Sequence, residues 1–236
     1  MPSRSFAFVV ALLLLATRAL AAQPPAESGV ARDAKSDTPL RCLHVILVDS
    51  TDRAVAHTVT DSTGTFVIVA PSTGAYRVGF EIFGWERLVG PVDTLHEGEL
   101  RERAYPLTFA VELHGDSLAP GSDLIAMLRH RESDAWHSAS VGTPDVAIRY
   151  PRRMAFARRS GDVVAQYVVD ERGRVPGESW RPLTFTNDDF LTALRAHVPT
   201  MRYQPARLSG HPVCELVRNR VVFDWRSPLP LVTLFN

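Results

Sequence analysis

Two cysteines, Cys42 and Cys214, are the residues of this 236-residue chain with the most distinctive chemistry. In an oxidising compartment they can pair, and a bridge that closes so long a loop would add roughly 4–5 kcal/mol of stability in the chain-entropy model. They can equally be two separate buried thiols, because free cysteine packs as a small hydrophobic residue. Each lies in a strand-like run, so both alternatives stay open.

Metal and catalytic motifs are sparse. His130, Glu132 and His137 do not have zincin spacing, and His211 with Cys214 supplies too few ligands for structural zinc. The chain also lacks a G-x-S-x-G elbow, a Walker loop and a paired-cysteine cluster. We therefore expect no catalytic residues, no metal and no cofactor, and a protein that is not an enzyme.

The N-terminus predicts export. Arg4 precedes the apolar run 6–16, and small residues at 19 and 21 suit a signal peptidase, so residues 1–21 are predicted to be a signal peptide. The protein would then be periplasmic or secreted. The alternative is an uncleaved inner-membrane anchor, and we expect membrane contact only in that case. A formal net charge of zero and export together argue against a nucleic-acid partner.

Residues 22–113 have the pattern of a small all-β sandwich, and the first of them, 22–27, are predicted to be a flexible leader. Apolar, β-branched runs recur at 43–48, 54–60, 65–70 and 75–83, and turn signals at 61–64 and 71–74 separate them. Short strands at such even spacing are typical of a β-sandwich.

This segment resembles the carboxypeptidase regulatory-like fold over about residues 28–113. The matching residues are Gly29-Val30, Pro39-Leu40, Thr60-Asp61, Gly64, Phe66, Gly74, Tyr76 and Gly84-Trp85. The resemblance implies a domain that spaces or binds and has no catalytic residues of its own.

Residues 114–144 are predicted to be a linker with one short helix at 123–131. After it, residues 145–236 are predicted to form an α+β domain with the order helix, hairpin, helix, strand and a three-stranded antiparallel sheet. The helices are expected at 151–159 and 188–197, the hairpin around the turn 170–173, and a long final strand at 212–225.

This second segment resembles the C-terminal domain of TonB-like energy transducers over about residues 145–226. The motif positions are Tyr150, Pro151, Gly161, Asp170, Gly173, Pro205, Ala206 and Gly210, supported by Val168-Val169, Arg174-Val175, Tyr203, Pro212-Val213 and Val222-Phe223. The chain departs from the family at 180–187, where a serine-serine-glycine loop is usual. It also lacks the proline-rich span of the membrane-anchored members.

The resemblance implies partner binding by β-strand addition, in which an extended peptide completes an exposed sheet edge. The edge strand would comprise Leu216, Val217, Arg218, Asn219, Arg220, Val221, Val222 and Phe223. The expected partner is a segment of a TonB-dependent outer-membrane receptor, and a homodimer through the same edge is possible. In a different interpretation the arginines only protect this edge from aggregation, and the protein is a periplasmic scaffold without an energy-transducing role.

Overall fold

The fold is predominantly β, as the sequence predicts. The computed structural model describes residues 23–82, 86–108, 135–141 and 148–226. Strands account for 50% of this part of the chain and helices for 13%, and the strands form several sheets. The predicted signal peptide, 1–21, and the predicted linker helix, 123–131, lie outside the described residues.

The N-terminal half consists of strands that form two facing sheets. One sheet has the order β4-β1-β8, with β8 parallel to β1, and the other has the order β3-β2-β5-β6, with β7 also paired to β5. The strands are β1 (Ala26–Asp33), β2 (His44–Val48), β3 (Ala54–Val59), β4 (Thr65–Val69), β5 (Gly74–Ile82), β6 (Glu86–Val89), β7 (Asp93–Leu95) and β8 (Leu100–Leu107).

Aromatic side chains fill the space between these sheets. The ring of Phe80 on β5 lies 5.6 Å from that of Phe66 on β4 and 4.9 Å from that of Tyr105 on β8, measured between centroids. Because the rings come from both sheets, they join the inner faces into one core, as in a β-sandwich.

The predicted flexible leader is wrong at its C-terminal end, because strand β1 already begins at Ala26. The pattern of apolar residues does not indicate this strand, because its inward positions are Glu27, Gly29 and Ala31 rather than large apolar residues. Glu27 is buried, and its carboxylate accepts a hydrogen bond from the Tyr105 hydroxyl, which offsets the cost of burial. Gly29 leaves room for the Tyr105 ring.

The C-terminal half combines a three-stranded antiparallel sheet, of order β12-β11-β16, with helices on one face. Its elements are β9 (Trp136–His137), β10 (Ser140–Val141), α1 (Arg152–Phe156), β11 (Gly161–Val169), β12 (Arg181–Phe185), α2 (Asp188–His197), β13 (Tyr203–Gln204), β14 (Ala206–Leu208), β15 (His211–Val213) and β16 (Glu215–Phe223). None of the helices within the described ranges is long and apolar enough to cross a membrane.

Helix α2 covers the sheet with its apolar side. Asn187 caps its N-terminus by accepting a hydrogen bond from Asp189 N, and Phe190 and Leu194 face inward. The ring of Phe190 stacks on that of Phe223 at 4.7 Å, which fixes the helix against β16. One face of the sheet is thereby buried in a second hydrophobic core.

The predicted linker is more ordered than expected at its C-terminal end. Strand β9 pairs with β14 and β10 pairs with β13, so residues 135–141 belong to the sheets of the C-terminal half. Trp136 is only 2% exposed, and its burial is the physical reason that this stretch does not behave as a free connection. The long final strand predicted at 212–225 is divided at Cys214 into two strands, β15 and β16.

The two halves share a covalent and apolar junction. Cys42 and Cys214 form a disulfide with Cα atoms 5.4 Å apart. Next to it, the backbone N–H of Leu216 donates to the carbonyl oxygen of Cys42 at 2.6 Å. Leu216 on β16 and Val168 on β11 belong to the hydrophobic core of the N-terminal half, so this end of the C-terminal sheet packs across the junction.

We expect Gly173→Ala to destabilise the protein by clearly more than about 1 kcal/mol, the usual cost of alanine at a glycine position of positive φ. Gly173 has φ 72°, and an added Cβ would overlap the backbone carbonyl of Tyr203. Gly210→Ala is the matched control, because Gly210 has φ 80° with open space around it. Urea unfolding would measure both variants, and equal losses would contradict the steric argument.

We expect the double variant Cys42→Ala, Cys214→Ala to lose about 5 kcal/mol of unfolding free energy in the chain-entropy model, because the bridge closes a separation of 172 residues. Denaturant unfolding with and without reductant would measure it. The reduced wild type should match the variant, and a wild type indifferent to reductant would refute the expectation.

Candidate functional site

Strand β16 forms one edge of the C-terminal sheet. It pairs with β11 along its whole length, from Val169 opposite Glu215 to Gly161 opposite Phe223. Among the described strands none pairs with the other side of β16. The residues from Leu216 to Phe223 that the sequence singled out therefore lie at a sheet edge.

The side chains of this strand are more buried than those of a typical exposed edge. Val217, Val221 and Phe223 face the helices, whereas Leu216 and Arg218 face the opposite side of the sheet. Arg218 is 2% exposed and donates to Gln166 Oε1 at 3.3 Å. Arg220, further along, is half-buried and its Nε lies 2.8 Å from Asp162 Oδ2.

Along β16 the backbone N–H and C=O groups of successive residues point alternately towards β11 and towards the outer edge. Leu216 N bonds to Cys42, away from β11, so by antiparallel alternation the N–H and C=O of Arg220 and Val222 also point outward. The opposite strand agrees, because the N–H and C=O of Asp162, the partner of Val222, bond to Thr186 rather than to β16.

A cleft of about 630 Å³ lies between the halves on the helix-free face of this sheet. One wall is the segment 33–41 of the N-terminal half, and the other is built from β11, β12 and β16. Its ionisable lining is mainly basic, comprising Lys35, Arg41, Arg181 and Arg218 against Asp33 and Glu178. Arg41 and Glu178 approach to 3.8 Å across the cleft.

A buried polar cluster lies at the junction of the halves. His44 Nδ1 is 2.9 Å from Glu81 Oε2, and Glu81 Oε1 is 3.0 Å from Arg87 Nε. The His44 ring stacks on that of Trp136 at 3.7 Å, and its Nε2 lies 3.1 Å from His57 Nδ1. Burial lowers the pKa of His44 against the opposing effect of Glu81, and burial together with His44 lowers the pKa of His57 to about 4.

Glu215, the first residue of β16, belongs to the same junction. Its Oε2 accepts a hydrogen bond from Ala139 N at 2.6 Å. Burial, aided by the charge of Glu81, raises the pKa of Glu215 to about 8, although the hydrogen bonds from Ala139 and Ser138 oppose the shift. The carboxyl group therefore keeps its proton in the folded protein at neutral pH.

The sequence-predicted motif residues have structural roles. Tyr150 packs edge-on against Phe190 and Phe223 and donates to the Arg159 carbonyl oxygen at 2.5 Å. Three of the others lie at the ends of elements: Pro151 precedes α1, Gly161 begins β11 and Pro205 precedes β14.

Two turns contain further motif residues. Asp170 Oδ1 accepts hydrogen bonds from Arg172 N and Arg174 N in the turn that contains Gly173, and Gly210 lies in the β14–β15 turn. Ala206 is fully buried in β14.

Those of the histidines considered as metal ligands that lie within the described residues are not gathered into a site. His130 and Glu132 lie outside the described residues, and His137 is exposed at β9. His211 has no thiolate partner, because Cys214 is in the disulfide. In the described ranges no cluster of three or more potential His, Cys, Asp or Glu ligands is formed.

The junction residues His44, Glu81, Trp136 and Glu215 were missed by sequence reasoning. A signal was present, since Glu81 interrupts the apolar strand 78–82 and Glu215 stands between Cys214 and Leu216. A carboxylate in an apolar strand is costly to bury without a partner and so points to one. The sequence alone does not indicate which residue that partner is.

No protein-family model and no curated protein matches the chain. Solved structures match it only distantly. The T6 backbone pilin of Streptococcus pyogenes is 17% identical, with 31% of this chain and 16% of the pilin covered and a TM-score of 0.27. The chain thus spans a small part of that pilin.

Two further structures are equally remote. The 5-hydroxyisourate hydrolase of Klebsiella pneumoniae is 18% identical, with 35% of this chain and 86% of that one covered and a TM-score of 0.26. A DUF3823 family protein of Bacteroides uniformis is 9% identical, with 84% and 89% covered and a TM-score of 0.27. Similarities at this level carry no functional argument.

We expect Glu215→Gln to stabilise the protein at pH 8 and above, on the order of a few kcal/mol. The folded-state pKa is raised from 4.5 to about 8, so the folded protein holds a proton that the unfolded chain has already lost. The contribution of Glu215 to the free energy of unfolding of the wild type therefore falls as the pH rises from 4.5 to about 8. Glutamine keeps an acceptor for Ala139 N but cannot ionise.

Urea unfolding from pH 5 to about 9 would compare the two proteins, and the difference should grow with pH and level off above the raised pKa. Glu171→Gln, at the exposed hairpin turn, is the control and should run parallel to wild type. A constant difference between wild type and Glu215→Gln would refute the assignment.

Proposed function

We propose that this protein is an exported binding protein that captures an extended segment of an envelope partner by β-strand addition to the outer edge of β16. The observation that carries the proposal is the outward direction of the backbone groups of Arg220 and Val222 beyond the point where Cys42 occupies the edge. An incoming strand can form ladder hydrogen bonds with such groups without disturbing the pairing of β16 with β11.

The rigidity of the strand supports this function. β16 is anchored by the disulfide at its start, by the stacking of Phe223 on Phe190 at its end, and by β11 along its inner side. A template that is already extended loses little conformational entropy when a peptide binds, so more of the interaction energy appears as affinity. The half-buried pair of Arg220 and Asp162 lies beside the outward groups and can contribute to partner choice.

The order of elements supports a TonB-like C-terminal domain, and with it a TonB-dependent receptor as the partner. Helix α1, the strands β11 and β12, helix α2 and the final strand β16 succeed one another, although the short strands β13 to β15 intervene before β16. By this likeness the captured segment would come from a TonB-dependent outer-membrane receptor, and the protein would act in the periplasm. Because a proline-rich spacer is absent from the sequence, we propose binding rather than energy transduction.

A scaffold function is the second candidate, and one observation favours it. The packing of Leu216 and Val168 into the core of the N-terminal half makes the two halves a single support for β16. In that case the same edge would pair with a second copy of the chain rather than with a receptor.

The test is a substitution that removes one outward N–H. Val222→Pro deletes the donor on the free side, and edge positions tolerate proline because the lost N–H takes no part in the existing ladder. Val222→Thr keeps the N–H and is the matched control. The probes are synthetic peptides from the plugs of the host's TonB-dependent receptors.

We expect one or more receptor peptides to shift the amide signals of residues 218–223 in NMR spectra of the labelled full chain. Val222→Pro should weaken binding by at least about fivefold, since a hydrogen bond contributes about 1 kcal/mol, while Val222→Thr should bind like wild type. Binding that is unchanged in Val222→Pro, or the absence of binding by any receptor peptide, would overturn the proposal. Concentration-dependent dimerisation lost in Val222→Pro would instead establish the scaffold function.

A further inference from the structure

A second exposed surface lies at helix α1, away from the outer edge of β16. Phe156, the last residue of the helix, is 90% exposed, more than any other large hydrophobic residue described. Phenylalanine is normally among the most buried residue types, and burying its ring would recover roughly 1.5–3 kcal/mol. A ring held in water to this degree is therefore unusual and suggests an apolar partner.

The local fold explains why the ring faces solvent. Helix α1 has one inward side chain, Met154, and the side chain two positions later points to the opposite side. The helix then ends, because Arg158 adopts φ 50° and turns the chain towards β11. Phe156 is thus presented by a short, anchored element rather than by a free end.

Basic residues surround the exposed ring. Arg152, Arg153, Arg158 and Arg159 are all exposed on α1 and the turn that follows it. A second aromatic residue, Trp225, adjoins them: Arg158 lies over its ring at 5.6 Å and Arg226 at 5.4 Å. The backbone N–H of Trp225 donates to Ser160 Oγ at 3.3 Å, which joins the segment after β16 to the turn after α1 in one surface.

The charge of this surface is strongly positive. Of the nearby carboxylates, Asp189 lies 3.8 Å from Arg153, and Asp224 bonds to Ser160 Oγ and to Arg226 N. The arginines outnumber these acids, although the whole chain has no net charge. We call the set formed by Phe156, Trp225 and the arginines 152, 153, 158, 159 and 226 the aromatic-basic patch.

We propose that the aromatic-basic patch binds the surface of an anionic phospholipid bilayer. Phe156 would enter the acyl boundary, Trp225 would lie at the level of the headgroups, and the arginines would bind lipid phosphates through paired N–H donors. Each basic residue near such a surface contributes about 1 kcal/mol, so several arginines and one inserted ring suffice for reversible binding.

A bilayer fits the patch better than a nucleic acid does. Phosphates of a nucleic acid would satisfy the arginines, but the patch is a projecting ring on a short helix rather than a groove that tracks a strand. Only an apolar phase would also remove most of the Phe156 ring from water. The proposal is independent of strand addition at β16, since it uses none of the residues of that edge.

The experiment is co-sedimentation of the full chain without residues 1–21 with two kinds of vesicle, phosphatidylcholine alone and phosphatidylcholine mixed with phosphatidylglycerol. We expect binding to the mixed vesicles only, weakening as salt rises because the charge attraction is screened. Phe156→Ser should lower the partition coefficient at least about tenfold, from the lost transfer of one ring. Val67→Ser is the matched control, because Val67 is 53% exposed on β4 in the other half of the chain.

Fluorescence supplies a second measurement. In a Trp85→Phe background, mixed vesicles should shift the tryptophan emission to the blue, and the further substitution Trp225→Phe should abolish the shift, since Trp136 and Trp180 are buried within the fold. Equal binding by wild type and Phe156→Ser, or no binding to the mixed vesicles, would overturn the proposal. Binding to single-stranded DNA without binding to vesicles would overturn it too and assign the patch to a nucleic acid.

Discussion

The disulfide between Cys42 and Cys214 fixes the start of strand β16 against the N-terminal half, and the arrangement of the rest follows from this constraint. Leu216 must then lie beside Cys42, where its N–H finds the carbonyl group of that residue. Register with β11 carries the constraint along the sheet as far as Phe223, on which helix α2 packs. The bond, together with the packing of Leu216 and Val168 in the core of the β-sandwich, holds the C-terminal sheet and its helix against the N-terminal half.

The same constraint explains why ionisable groups are buried at the junction. Glu81 on β5 and Glu215 on β16 come close enough that the charge of Glu81 helps to raise the pKa of Glu215. Two neighbouring carboxylates would repel each other in a region of low dielectric, so Glu215 is neutral, while Glu81 contacts His44 and forms an ion pair with Arg87. The ring of Trp136 stacks on that of His44 and is itself buried. Such groups add little stability over an apolar junction, because the cost of desolvating charged groups offsets their attraction.

Local signals in the sequence predicted much of the β structure but not its assembly. The apolar, β-branched run at 65–70 and the turn at 61–64 were sufficient, because Gly64 at positive φ and the hydrogen bonds from backbone N–H groups to the Asp61 carboxylate are local requirements. The apolar pattern did not indicate strand β1, whose position came only from the family resemblance at Gly29-Val30. Its inward residues are Glu27, Gly29 and Ala31, and the burial of Glu27 and Gly29 depends on Tyr105, far along the chain. Residues 135–141 were interpreted as linker for a similar reason, since the burial of Trp136 depends on His44. The edge position of β16 came from a family resemblance, and the contact of Leu216 with Cys42 that limits this edge has no local signature.

The parallel pairing of β1 with β8 has a consequence for how the chain acquires its fold. Ala26 lies opposite Leu100, and Asp33 lies opposite Leu107, so the first strand cannot gain its second neighbour until the whole N-terminal half has been synthesised. Such long-range contacts raise the contact order and slow folding. Cys214 emerges later still, and Cys42 remains a free thiol until then. The order of synthesis thus makes all strands of the sandwich available before the cross-link can form. Because the chain has two cysteines, a mispaired Cys42 would be bridged to another molecule and Cys214 would be left without its partner.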